Sequence, residues 1–97
     1  MSNITIEYTK KAMKGRDKLT KNEQAIMDVL EQDLRETAGK PYGRGWQSLG
    51  LLKSTNQMHC HITYRKVAVW EVEEHGNSIK IIFCRFEYVG TREKAPY

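Results

Sequence analysis

Residues 61–89 read HITYRKVAVWEVEEHGNSIKIIFCRFEYV. The two ends of this stretch, residues 61–72 and 79–89, are dense in β-branched and aromatic residues, which favour strands. The segment between them, residues 73–78, contains Gly76 and Asn77, which are typical of tight turns. The stretch therefore predicts a β-hairpin at the centre of an antiparallel sheet.

Upstream of the hairpin, the pattern predicts a strand followed by a basic helix. Residues 4–8 alternate apolar with polar side chains, as a half-buried strand does. Residues 10–19 suit a lysine-rich helix that Gly15 weakens. The side chains expected near its buried face are Ala12, Met13, the stem of Arg16, and Leu19.

A second helix is predicted over residues 20–37. Thr20 and Glu23 have the spacing of a capping box, in which each side chain satisfies a free amide at the helix start. Gly39 ends the helix before Pro41. Its expected buried stripe, at three-to-four spacing, consists of Ile26, Val29, Leu30, the stem of Asp33, and Leu34.

These elements predict one α+β domain spanning residues 1–97. Residues 46–53 form either a short strand or an irregular edge, so the order is β-α-α-β-β-β. We expect a small antiparallel sheet with the N-terminal helical hairpin packed on one face. The other face is then open for a ligand. An apolar content of 39% suits a single core in a chain of 97 residues.

Charge and composition narrow the classes of partner. Sixteen basic and twelve acidic residues give a net charge of +4, a balance that favours nucleic acid or an acidic protein partner. No segment approaches the ~20 apolar residues of a membrane span, so we predict a cytoplasmic protein with no membrane contact. Cys60 and Cys84 fall in strand-like segments and are expected to be free thiols near the core.

Side-chain alternation separates residues 59–72 into two faces. The set expected in the core is Cys60, Ile62, Tyr64, Ala68, Trp70 and Val72. The set expected to face a ligand is His59, His61, Thr63 and Arg65. Val67 and Val69 also fall on the second face, which indicates either a bulge near Lys66 or a partly covered far end.

Several of these side chains suit phosphate chemistry. Arg65 and Arg92 offer planar guanidinium forks that grip phosphate oxygens and stabilise charge on phosphorus. His61 is then a candidate acid or base, although a lone strand histidine is as often a packing residue. Tyr97 is placed to stack on a base or exchange a proton, or it is only an aromatic lid on the sheet edge.

Histidine and cysteine also raise the question of a metal. His59, Cys60 and His61 lie in one strand, and Cys84 and His75 lie elsewhere, without a second paired ligand motif. This spacing matches zinc sites poorly, so we predict no metal and no cofactor.

Taken together, these segments resemble the RelE/ParE toxin superfamily, most closely its RelE- and YafQ-type messenger-RNA interferases. The resemblance covers nearly the whole chain and rests on the order and spacing of its pieces. They are residues 4–8, the lysine-rich helix with Leu19, the helix from Thr20, Leu52-Lys53, Cys60-His61-Ile62, residues 67–72, and Gly90-Thr91-Arg92 with a terminal tyrosine.

The resemblance implies a toxin that enters the ribosome, cuts messenger RNA there, and is held inactive by an antitoxin. It matches His61 to the catalytic histidine of YafQ-like members, and Arg92 and Tyr97 to RelE-type residues. Arg65 stands where YafQ-like members have an aspartate. Lys53 corresponds to the basic loop of RelE-type members.

The resulting hypothesis is a metal-independent endoribonuclease. Its expected catalytic residues are His61, Arg65, Arg92 and Tyr97. Its expected RNA-binding residues are Lys53, His59, Lys66 and Lys94. Two alternatives remain open: a ParE-like inhibitor of DNA gyrase, and a non-catalytic module that binds RNA or protein.

Overall fold

The computed structural model describes residues 3–37, 46–51, 57–76 and 81–95. Within them the elements are β1 (Asn3–Tyr8), α1 (Lys10–Asp17), α2 (Lys21–Glu36), β2 (Gln47–Leu51), β3 (Gln57–His61), β4 (Lys66–His75), β5 (Ile81–Thr91) and a 3₁₀ turn at Arg92–Lys94. The strands form one sheet in the order β1-β5-β4-β3-β2. The predicted α+β class, with strands following a helical hairpin, is confirmed.

Two details of the predicted sheet are wrong. The sheet is not wholly antiparallel, because β1 pairs parallel to β5 while the other neighbours run antiparallel. The strand predicted over residues 61–72 is also two strands, since β3 ends at His61 and β4 begins at Lys66.

A tight turn of residues 62–65 separates β3 from β4. The backbone N–H of Ile62 donates to the carbonyl of Lys66 at 2.9 Å, and the N–H of Lys66 donates to the Thr63 hydroxyl at 3.2 Å. Thr63 and Arg65 therefore lie in a turn and do not continue the ligand-facing row of a strand. Tyr64, expected in the core, is 73% exposed.

The helices pack on one face of the sheet, as predicted. Trp70 and Phe86 are fully buried there, with ring centroids 5.8 Å apart. Of the other predicted core residues of this region, Cys60, Ile62 and Ala68 are buried in the same cluster, and the partly buried Val72 packs against it. From the helices, the buried members are Ala12, Leu19, Met27, Leu30 and Leu34.

Helix α2 follows the sequence rules closely. Thr20 and Glu23 form both hydrogen bonds of the capping box, at 3.2 and 2.9 Å. Val29, expected in the stripe, is 47% exposed, and Met27 is buried in its place. At 100° per residue, Met27 shares a face with Leu30 and Leu34, whereas Val29 points away from it.

Helix α1 depends on a close backbone contact. Its N-cap, Thr9, accepts a hydrogen bond from the N–H of Ala12 at 3.1 Å. Gly15 packs so closely on β5 that a Cβ there would lie 1.7 Å from the carbonyl oxygen of Val89. The glycine thus allows α1 to lie against β5. Ala12 and Leu19 are buried as predicted, but Met13 is 40% exposed.

Polar contacts join the two helices to β1. The Arg16 guanidinium donates to the carboxylates of Asp28 and Glu31. The Tyr8 hydroxyl also donates to Glu31, at 2.7 Å. Burial, followed by the hydrogen bond to Glu31, raises the pKa of Tyr8 well above its usual value. The phenol is therefore a stable donor at neutral pH.

The far face of the sheet is partly covered, which was one of the two predicted explanations for Val67 and Val69. Both valines are buried with Tyr88, and Ala95 packs against them. The register between β4 and β5 shifts by one residue between Val69, which pairs with Tyr88, and Trp70, which pairs with Phe86. Glu87 is the extra residue of this bulge, and it places Tyr88 on the far face.

The described helices include none that combines the length and the apolar character needed to cross a bilayer.

Candidate functional site

The turn of residues 62–65 lies against the end of β5. The backbone N–H of Arg92 donates to the carbonyl of Arg65 at 2.9 Å, and Lys66 pairs with Thr91 in the sheet. Two arginines that are 27 positions apart in the sequence are thereby attached to adjacent points of the backbone. We call residues 62–65 together with Arg92 the arginine turn.

An exposed aromatic ring belongs to the arginine turn. The guanidinium carbon of Arg92 lies 5.5 Å from the centroid of the Tyr64 ring, within the range of a cation–π contact. Sequence reasoning missed this residue, because the alternation of a continuous strand assigned Tyr64 to the core. The turn instead releases its ring to solvent beside a cation.

His59 and His61 lie on the far face of the sheet. They pair with Val69 and Val67 of β4, and His61 is the last residue of β3 before the arginine turn. Burial, and then the electrostatic interaction with His61, lowers the pKa of His59. Cys60 points to the helix face, so these three neighbours do not converge on one ion.

A second cationic surface lies between α1 and the end of β5. Lys11, Lys14 and Lys18 line one side of a cavity of about 580 Å³, and Lys66 and Lys94 also line it. We call these five lysines and the cavity between them the lysine groove. Lys66 and Lys94 were predicted RNA-binding residues, whereas the lysine-rich helix was considered for RNA binding only in the alternative of a non-catalytic module. The signal was present, since lysines at spacings of three and four share one helix face.

The walls of the groove are held by local contacts. The Tyr88 hydroxyl donates to the carbonyl of Thr91 at 2.7 Å, and the Lys11 ammonium lies 5.6 Å from the centroid of the Tyr88 ring. A Cβ at Gly90 would lie 2.9 Å from the Tyr88 hydroxyl. Gly90 therefore leaves room for the bond that fixes Tyr88.

Two predicted site residues, Lys53 and Tyr97, lie outside the described residues. Of the others, His61, Arg65 and Arg92 are at one end of the sheet, and Lys66 and Lys94 line the lysine groove. His59 lies two residues before His61 on the same face.

The two cysteines are free and buried, as predicted. Burial raises the pKa of the Cys60 thiol to about 12, and the Asp33 carboxylate adds to this effect. Burial also raises the pKa of Cys84 to about 11, against the opposing charge of Arg35. Neither is a ready nucleophile, because the thiolate is the reactive form.

Comparison with solved structures identifies the fold. YafQ from E. coli strain BL21(DE3) matches with a TM-score of 0.65 and 17% identity, over 94% of this chain and 96% of that one. The E. coli DinJ-YafQ toxin-antitoxin complex matches with a TM-score of 0.70 and 14% identity, over 98% of this chain and 99% of that one. A YoeB/ParE toxin from Agrobacterium tumefaciens matches with a TM-score of 0.55 and 17% identity, over 87% of this chain and 99% of that one.

No family model matches the chain, and no curated protein matches it either. The similarity is therefore one of backbone architecture at low sequence identity. It spans nearly the full length of both chains in the YafQ comparisons. The chain has the α+β fold of these solved structures, those of YafQ and of the YoeB/ParE toxin.

Proposed function

We propose that this protein is the toxin of a toxin–antitoxin pair and that it cleaves messenger RNA on the ribosome. The observation that carries the proposal is the hydrogen bond between Arg92 and Arg65, which joins two arginines beside the strand that ends at His61. This arrangement occurs on a fold shared with toxins. The site of action would be the bacterial cytoplasm.

The chemistry can proceed without a metal or a cofactor. The ribose 2′-oxygen attacks its own phosphorus, the bond from phosphorus to the 5′-oxygen breaks, and a 2′,3′-cyclic phosphate and a 5′-hydroxyl result. The step needs an acceptor for the 2′ proton, a donor for the leaving oxygen, and cations around the phosphorus. His61 serves as the acid or the base, and Arg65 and Arg92 stabilise the charged phosphorus.

The remaining predicted residues have supporting roles in this proposal. His59 holds the messenger RNA close to the arginine turn, and Lys66 and Lys94 bind RNA phosphates in the neighbouring lysine groove. Lys53 binds a flanking phosphate, and Tyr97 orients or deprotonates the nucleotide. The partner in the resting cell is an antitoxin, by analogy with the DinJ-YafQ complex.

The test compares two histidine variants on ribosomes programmed with a defined messenger RNA. We expect His61→Ala to lose ~10² to 10⁴-fold in cleavage rate, the usual contribution of one general acid or base. His75→Ala is the matched control, since His75 is at the opposite end of β4 and its ring contacts Glu73 at 3.3 Å. Full activity in His61→Ala would remove that residue from the mechanism.

An experiment in cells separates this function from the ParE-like alternative. Wild-type protein should arrest growth and produce new RNA 5′ ends inside translated messages. Arrest without cuts, together with inhibition of gyrase supercoiling, would instead favour a gyrase inhibitor. RNA binding without arrest or cuts would favour a non-catalytic module.

A further inference from the structure

The lysine groove concentrates positive charge around one concave surface. Lys11, Lys14 and Lys18 lie along about 10 Å of α1, from the helical rise of 1.5 Å per residue. Lys66 and Lys94 come from β4 and from the turn after β5. Three separate segments thus supply five lysine side chains to the lining of a cavity of about 580 Å³.

Nothing within the described part of the chain neutralises this charge. No acidic side chain lines the groove there, and none of the five lysines forms an ion pair with a described carboxylate. The nearby acids Asp28 and Glu31 are bound to Arg16 instead. Like charges gathered in a cavity repel one another, and a polyanion in the groove relieves that repulsion.

Among the described residues that line the groove, none offers an aromatic face on which a base can stack. Tyr88 is buried, its hydroxyl is bonded to Thr91, and Lys11 lies over its ring. Proteins that hold single strands combine cationic grooves with open aromatic rings. Duplex RNA keeps its bases stacked inside and is recognised largely through its shape, its phosphates and its 2′-hydroxyls.

From these observations we propose that the lysine groove binds the phosphate backbone of base-paired RNA, separately from the strand that is cleaved. The choice of RNA over other polyanions rests on the proposed function. An acidic protein fits less well, because lysine is depleted in protein–protein interfaces. The groove sets affinity and its dependence on salt, and it takes no part in bond cleavage.

The test measures binding of a blunt RNA duplex of about 16 base pairs, the span of a typical duplex-binding domain. Fluorescence anisotropy over a salt series gives the dissociation constant and its salt slope. The groove variant is Lys14→Gln with Lys18→Gln. The matched control is Lys10→Gln with Lys21→Gln, which removes the same charge from exposed helix positions outside the groove.

We expect the groove variant to flatten the logarithmic salt slope by about 1.8, at about 0.9 for each lost phosphate contact. At 0.1 M salt this corresponds to a loss of about 60-fold in duplex affinity. The control should lose less than a quarter of that slope. Circular dichroism should show unchanged helix content in both, since glutamine and lysine have similar helix propensities.

Three results would overturn the proposal: equal losses in the two double variants, no duplex binding by the wild type, or equally strong competition by a glutamate peptide of matched charge. The failure of the nuclease function gives a different result. In that case ribosomal messenger RNA stays intact while the groove variant still loses duplex binding. Conversely, cleavage that depends on His61 without any duplex binding would reject the groove alone.

Discussion

The lysine groove and the arginine turn are both cationic and both lie beside the end of β5, yet they differ in construction. The groove consists of lysine side chains around a cavity, and Tyr88, the tyrosine that lines it among the described residues, is buried. The turn consists of two arginines whose backbones are bonded together, with the exposed ring of Tyr64 beside them. Point charges suit a backbone of any sequence, whereas planar forks and a free ring suit one positioned nucleotide. Under the proposed function, affinity and chemistry are therefore assigned to separate surfaces.

Arg92→Ala should show the largest difference between the two surfaces, because it should slow RNA cleavage strongly and leave duplex binding almost unchanged. Loss of one preorganised donor to a transition state typically lowers the rate ~10² to 10³-fold, so we expect that loss in cleavage on ribosomes. Duplex binding should change less than twofold, because Arg92 does not line the groove. Arg92→Lys should recover only part of the rate, since an ammonium lacks the fork. Equal rates for Lys and Arg would show that charge alone matters.

Gly15→Ala tests whether the lysine groove depends on the close packing of α1 against β5. The added Cβ would meet the carbonyl of Val89 at 1.7 Å, and backbone cannot yield as a side chain can. Overpacking of this kind outweighs the ~1 kcal/mol of improved helix propensity. We expect urea unfolding to show a net loss of about 2 kcal/mol, with weaker duplex binding as α1 moves from β5.

Gly90→Ala is the comparison for that variant. Its Cβ would meet the hydroxyl end of Tyr88, a side chain that can move. A smaller loss of stability is expected than for Gly15→Ala. Equal losses would show that the α1–β5 contact is softer than its geometry indicates.

Tyr64→Ala should weaken the binding of single-stranded RNA and leave the binding of duplex RNA unchanged. A stacked base contributes ~1 to 3 kcal/mol, and for this exposed ring we take the lower value, which corresponds to about fivefold in KM. Tyr64→Phe keeps the ring and should behave as wild type in kcat and KM. If the phenylalanine variant loses as much as the alanine variant, the hydroxyl is the important group.

The smallest effect concerns the dependence of stability on pH at His59. Burial lowers its pKa below 6.5 in the folded protein, so the unfolded chain takes up a proton first as pH falls. The neutral imidazole therefore makes its full contribution to the free energy of unfolding above pH 6.5, and that contribution declines as the pH falls below 6.5. Urea unfolding from pH 8 to 5 should show wild type losing stability relative to His59→Gln. A constant difference would exclude this coupling.

The sequence predicted the elements that follow local rules. The Thr20–Glu23 capping box fixed the start of α2, and the apolar positions Ala68, Trp70 and Val72 identified the helix face of the sheet. The turn at residues 62–65 was missed because it contains no glycine or proline. It is stabilised by the Thr63 hydroxyl, a weaker signal that a strand-like run conceals.

The candidate site was only partly predictable for a different reason. Arg65 and Arg92 were predicted as site residues because their guanidinium groups suit phosphate chemistry. The lysine groove required the position of α1 on β5, which depends on the contact between Gly15 and Val89. Sequence reasoning read that glycine as a weakness of the helix. Close packing between distant segments has no local pattern that would reveal it.

The hydrogen bond between Arg92 and Arg65 has a consequence for how such a site can change over generations. Its donor and acceptor are main-chain atoms, so any residue at position 65, and any residue but proline at position 92, keeps the two positions adjacent. The side chain at position 65 can therefore change without refolding of the turn. A scaffold of this kind lets new acid, base or cation combinations arise by single substitutions.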